Sequence, residues 1–193
     1  MAWFNTSRPM GFKNKLGRAF LMASIAVAGA LGNLTPLAAE PLRLPALQAQ
    51  DLNEKNYTLP QDLPAPYTVV LVAFKREQQA LVDTWIEGLN LKAPTTPYHW
   101  IELPVLEDYG AWFKWFVDNG MRRGIKGEFN REKVITVYTD KAAFRQATGI
   151  PNEDTIHVLV ITPTGQIVAR TEGSFSPQKA ESLSDYTKNS KVQ

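Results

Sequence analysis

The chain has 193 residues, 44% of them hydrophobic and 21% charged, with a formal net charge of +2 and no cysteine. Disulfide exchange and thiol-dependent peroxide reduction need a thiolate nucleophile, so this chain can perform neither. Four of its 21 basic residues precede residue 40, where no acid occurs, which leaves 17 basic against 19 acidic residues in the remaining 154.

Residues 1–39 read as a secretory signal peptide. Arg8, Lys13, Lys15 and Arg18 come first, the apolar run AFLMASIAVAGAL (19–31) follows, and Ala38-Ala39 stands before Glu40. A basic region, an apolar core of about 7–15 residues and small residues at the cleavage point define such a leader. The run is short for a membrane span, which takes about 20 apolar residues. The alternative is an uncleaved N-terminal anchor reaching Leu37. The expected location is therefore periplasmic or otherwise exported, either released or N-terminally tethered. Without the leader the formal charge is −2. Nucleic-acid binding then loses the basic footprint on which it rests.

Residues 40–66 carry prolines at 41, 45, 60, 64 and 66. Proline removes backbone donors and disfavours helix, so an extended lead-in with at most one short edge strand is expected. TVVLVAF (68–74) is an apolar, β-branched run that predicts a buried strand. In residues 75–89, Leu81, Val82, Trp85, Ile86 and Leu89 recur at helical spacing and predict an amphipathic helix. YHWIELPVL (98–106) predicts a second strand. Residues 108–125 predict a second helix with Trp112, Phe113, Trp115, Phe116 and Met121 as a broad apolar face, interrupted at Gly120 and Gly124. KVITVYT (133–139) is a third strand. Asp140 is a good N-cap for the next helix and Gly149 its stop. TIHVLVIT (155–162), the Pro163-Thr164-Gly165 turn and QIVARTEG (166–173) form an antiparallel hairpin. Ser176-Pro177 opens a last helix, and residues 189–193 are expected to fray. Strands alternating with helices give an α/β domain over 67–188, with a central, mostly parallel sheet, helices on both faces and an antiparallel edge hairpin.

VVLVAF before a helix, DKAAFRQATGI before a strand and VLVITPTGQIVARTEGSFSPQKAESL resemble the thioredoxin-like domains of peroxiredoxins and extracytoplasmic thiol reductases, over about residues 44–187. In those families a Trp-Cys-x-x-Cys loop follows the first core strand. Here the matching stretch is Lys75-Arg76-Glu77-Gln78-Gln79-Ala80. The proline expected in cis before the fourth strand is replaced by Glu153-Asp154-Thr155-Ile156. No redox residue carries over. VVLVAFKREQQALVDTW, ELPVL, WFKWFVDNGMRRGI and VITVYTDKAAF are similar to the mitochondrial ATP-synthase assembly factor ten family and its bacterial relatives. That resemblance implies a thioredoxin fold put to non-redox work, helping a membrane subunit assemble.

Two candidate sites follow. Lys75, Arg76, Glu77 and Gln78 lie at the carboxyl end of a core strand and the start of a helix, where anions are favoured. They would hold a small ligand, phosphate or acidic peptide end; the alternative is a solvated first turn. Trp112, Phe113, Trp115 and Phe116 cannot all face inward from one helix, since i and i+1 diverge. Either three of them are core, or one or two join Lys114, Arg122 and Arg123 in a partner or membrane-surface patch, the composition interfaces favour. Glu77, Asp83 and Glu87 do not stack on one helical face and read as solvated surface. His99 and His157 are too few for a metal centre, and Ser174 or Ser176 lacks a nucleophile-elbow sequence. No cofactor is expected.

Three function classes result. The first is an exported non-redox adaptor or assembly factor for a membrane or envelope complex, with a protein partner. The second is a small-ligand or anion-binding module using residues 75–79. The third is an enzyme with cysteine-independent chemistry, for which no acid, base and nucleophile converge in the sequence.

Overall fold

The computed structural model describes residues 41–188; the expected leader (1–39) and tail (189–193) lie outside the described residues. Seven strands form one sheet: β1 (Leu47–Asp51), β2 (Asn56–Leu59), β3 (Thr68–Ala73), β4 (His99–Leu106), β5 (Ile135–Tyr138), β6 (His157–Ile161) and β7 (Ile167–Glu172). Their spatial order is β2-β1-β5-β4-β3-β6-β7. β3 pairs parallel with β4 and β4 with β5. β6 runs antiparallel to β3, and β7 to β6. The sheet is thus mixed, with parallel pairing confined to its centre.

The proline-rich lead-in departs from expectation. Residues 47–59 form a two-stranded hairpin, not an extended segment, and β1 of this hairpin pairs antiparallel with β5. The prolines flank it without entering it. Between them Tyr57 and Leu59 are buried while Asn56 and Thr58 face water, the period-two pattern of a half-buried strand. Its turn closes on Asp51, whose Oδ1 accepts from the Asn53 and Lys55 amides at 2.8 and 2.9 Å.

Alternation along β3 splits the core in two. Val69 and Leu71 pack with Val82, Trp85 and Ile86 of α1 (Gln79–Gly88) and with Leu183 of α5 (Pro177–Lys188). Val70 and Val72 face the other way, toward Phe144 of α4 (Lys141–Thr148). α4 begins and ends as its sequence dictates. Asp140 Oδ1 accepts from the Ala143 amide at 3.0 Å, and Gly149, left-handed at φ 68°, closes the last turn.

α2 spans Ala111–Gly124 without interruption. Gly120 sits inside the helix and does not break it, although glycine there costs about 1 kcal/mol relative to alanine. A short helix, α3 (Glu128–Glu132), follows unannounced by any pattern in the sequence. α2 lies over Thr136 and Tyr138 of β5. In the strand register this is the same sheet face that α1 covers, because the alternate residues Ile135 and Val137 belong to the opposite core.

Candidate functional site

The turn from β3 into α1 is where a ligand was expected. Lys75, Arg76 and Glu77 are exposed there, and Gln78 is buried. Gln78 closes the turn on itself. Its Oε1 accepts from the backbone amides of Phe74 (2.8 Å) and Lys75 (3.2 Å), and its Nε2 donates to the Glu153 carbonyl at 2.8 Å. Those two amides are donors an anion at this turn would use, and they are already satisfied. The side chain in the middle of the sequence-predicted ligand loop is a latch between two loops.

The facing loop is held from other sides too. His157 is buried against the Phe74 ring, 6.4 Å between centroids. Its Nε2 lies 3.1 Å from the Asn152 carbonyl, which can only accept, so Nε2 carries the proton. Burial pushes the imidazole pKa below its ordinary value and keeps the ring neutral. Lys141 Nζ meets Glu153 Oε2 at 2.6 Å, and Arg145 donates to the Pro151 carbonyl at 3.0 Å. Lys75 pairs loosely with Asp154 at 3.8 Å, both groups being largely exposed. The cis peptide bonds among the described residues are Leu59–Pro60 and Ala65–Pro66; Pro151 is not one of them. This end of the sheet therefore ties an amide, an imidazole and ion pairs across two facing loops. His99, by contrast, is exposed at the start of β4. No group of three or more His, Asp or Glu among the described residues is arranged to hold a metal ion.

Glu102 of β4 is a second buried polar feature on the α1 face. Gln79 Nε2 donates to its Oε2 at 3.1 Å and to Asp83 Oδ1 at 3.2 Å. Burial raises the Glu102 pKa above the usual carboxyl range, partly offset by the Gln79 hydrogen bond.

The aromatic helix α2 is different in kind. None of its side chains is buried. Trp112 is 73% exposed, Trp115 63% and Phe116 59%, and Tyr109 just before the helix is 72% exposed. Trp112 and Phe116, one turn apart, stack on each other with centroids 5.7 Å apart and planes 14° from parallel. Three aromatic residues of the helix thus face water, more than the one or two the sequence allowed, and only Phe113 turns in, edge-on to Tyr138 at 6.4 Å. Arg123 follows Phe116 at i+7 and shares its face.

Lys114 and Arg122 do not belong to that outer face, contrary to their expected place in the patch. Lys114 Nζ pairs with Asp108 at 2.9 Å and lies over the Tyr138 ring at 5.4 Å. Arg122 crosses to the β1–β2 turn, donating to the Leu52 carbonyl (3.0 Å) and to Glu54 Oε1 (2.8 Å). Beneath the helix the Tyr138 hydroxyl donates to Asp118 Oδ1 at 2.6 Å. Burial raises both of their pKa values, and the neighbouring carboxylate pushes the Tyr138 phenol higher still. Asp118, Tyr138 and Tyr109 were not singled out in the sequence. Asp118 stands at i+4 from Lys114 and i−4 from Arg122, a spacing that reads as an ordinary charged helix side.

No protein-family model matches the chain, and no curated protein does. Solved structures match it over most of its length. The pneumococcal exposed lipoprotein thioredoxin Etrx1 from Streptococcus pneumoniae strain TIGR4 superposes with a TM-score of 0.50 at 12% identity, covering 75% of this chain and 99% of that one. BsSco, a member of the Sco family of cytochrome c oxidase assembly proteins, gives 0.52 at 10% identity, covering 80% and 96%. Yeast Sco1 gives 0.51 at 9% identity, covering 78% and 97%. The fold is thioredoxin-like. Identities this low carry the architecture and none of the chemistry. In a thioredoxin-like frame the Gln78 latch occupies the strand-to-helix turn that the sequence resemblance assigns to the redox pair.

Proposed function

We propose that the chain is an exported, non-redox thioredoxin-like protein that works by contact, as an adaptor or assembly factor for a membrane or envelope complex. The observation that carries this reading is the outer face of α2: three exposed aromatic residues on a helix with no fully buried side chain, in a chain without cysteine. Exposed apolar patches of several hundred Å² on a soluble domain mark interaction sites. The similarity of WFKWFVDNGMRRGI and VVLVAFKREQQALVDTW to the assembly factor ten family supports the same role, with a subunit of a membrane complex as the protein partner. The leader-like segment 1–39 supports export. A small-ligand role at residues 75–79 is disfavoured by the Gln78 latch.

The test is photo-crosslinking in the producing cell from a reactive residue at Gly120, where an added side chain meets nothing within 4 Å. A probe at exposed Gln146 on α4 is the control. The expected result is a membrane-complex subunit captured from position 120 and not from 146, and lost in Trp112→Ser/Trp115→Ser. The same proteins captured from both positions, or none from position 120, would contradict the adaptor reading.

A further inference from the structure

The outer face of α2 has a charge pattern as well as an apolar one. Asp118 is the helix's sole acidic residue, and it is turned inward onto Tyr138. Lys114 is paired with Asp108, and Arg122 with Glu54. What remains outward on the helix is Trp112, Trp115, Phe116, Asn119 and Arg123, and Lys126 follows just past its end. Among the described residues neither Arg123 nor Lys126 has an ion-pair partner. The first exposed acid beyond the helix is Glu128, in α3.

The pattern selects the occupant: Trp112, Trp115 and Phe116 are apolar and largely exposed, and the exposed cation Arg123 lies beside them. It matches an amphipathic helix lying in a bilayer interface, with Trp and Phe sunk about 5–10 Å and basic residues at the headgroups. Tryptophan and tyrosine favour that zone because one end of the ring system is apolar and the other polar.

We infer that the outer face of α2 docks on an anionic lipid surface, with Trp112, Trp115 and Phe116 in the headgroup–acyl boundary and Arg123 and Lys126 on lipid phosphates. This deepens the adaptor reading and rests on it: the face meets first the membrane that holds the complex. No described helix is long and apolar enough to cross a membrane, so the contact lies on the surface.

The chain has no cysteine, so one introduced thiol is a unique label. The full chain carrying Gly120→Cys, labelled with an environment-sensitive fluorophore, is mixed with phosphatidylcholine vesicles with and without phosphatidylglycerol. Because residues 19–31 could hold the chain on either vesicle, the label's position is the readout, and Gln146→Cys is the control. The label at 120 is expected to shift to the blue and to be quenched by doxyl lipids on the anionic vesicles, while the label at 146 stays unchanged. Arg123→Gln/Lys126→Gln should weaken the response about thirtyfold, and added salt should weaken it too. Trp112→Ser/Trp115→Ser should abolish it, with the circular dichroism spectrum unchanged. A label at 120 no more responsive than one at 146, or indifferent to lipid charge, overturns the proposal. Crosslinking to protein from Gly120 in cells, with silence on vesicles, leaves the adaptor standing and the lipid inference refuted. Response on vesicles with no protein captured in cells does the reverse.

Discussion

α1 and α2 cover the same face of the same sheet and both carry tryptophan, yet they use it in opposite ways. α1 sinks Trp85 completely, with its Nε1 donating to the Gly173 carbonyl at 2.8 Å and its ring edge-on to Phe175 at 5.2 Å. α2 is longer and sinks nothing; Trp112 and Trp115 face water. The reason lies in the sheet beneath. Under α1 are Val69 and Leu71 of β3. Under α2 are Thr136 and Tyr138 of β5, a polar surface that holds the helix through a hydroxyl, a carboxylate and the Met121 sulfur. A helix seated on polar groups keeps its large apolar side chains free for something else.

The sharpest contrast should come from tryptophan itself. Trp85→Ala is expected to cost about 3–5 kcal/mol of stability, the range for removing a fully buried aromatic side chain, as read by denaturant unfolding. A cost near that of a surface change would mean that α1 and α2 are not different in kind. Tyr138→Phe comes next. It strips Asp118 of its hydroxyl donor and leaves a half-buried carboxylate unpaired, at about 1–3 kcal/mol. Hydrogen exchange should show that loss concentrated in α2; equal loss in α1 would mean the two helices open as one unit.

Glu102, beneath the start of α1, adds a pH-dependent difference. Burial raises its folded pKa above the unfolded value. The carboxyl's favourable contribution is therefore complete below the unfolded pKa of about 4.3 and is lost as pH rises through the folded value. Glu102→Gln should be about as stable as the parent near pH 4 and more stable at pH 7. His157 acts with the opposite sign. Its folded pKa is lowered, so its contribution is complete above about 6.5 and declines as pH falls below that. Thermal unfolding across this range, with and without the substitution, separates the two. A constant offset for Glu102→Gln at all pH values would show that burial does not perturb the group. The smallest effect is reserved for the outer face: Trp115→Ser should change stability by no more than about 0.5 kcal/mol. A larger loss would mean the residue is packed.

These differences explain what could be read from the sequence. Val82, Trp85 and Ile86 fall on one stripe, and α1 is where that stripe puts it. Asp140 and Gly149 bound α4 by local chemistry that needs no tertiary information. The α/β architecture was legible for the same reason, through long apolar runs and helical periods, and its thioredoxin-like form through the resemblance over residues 44–187. The hairpin of β1 and β2 was hidden because five prolines dominate the composition of a segment whose strands avoid them. Gly120 suggested a break that the neighbouring turns override. In α2 the inward turn of half-buried Phe113, rather than of Trp112, depends on which strand lies below, and no spacing rule contains that. Gln78 read as ligand-facing because its position in the fold suggested it; two of its three hydrogen bonds are local to the turn, and the third reaches the Glu153 carbonyl in a loop 75 residues away.

The central claim is that the tryptophans of α2 are a free contact surface while those of the core are not. Fluorine NMR of the full chain with 5-fluorotryptophan, assigned by single Trp→Phe substitutions and read against a soluble paramagnetic agent, tests it directly. The account predicts strong broadening of the Trp112 and Trp115 resonances and none for Trp85 and Trp100. Protection of Trp112 and Trp115 equal to that of Trp85 would contradict it.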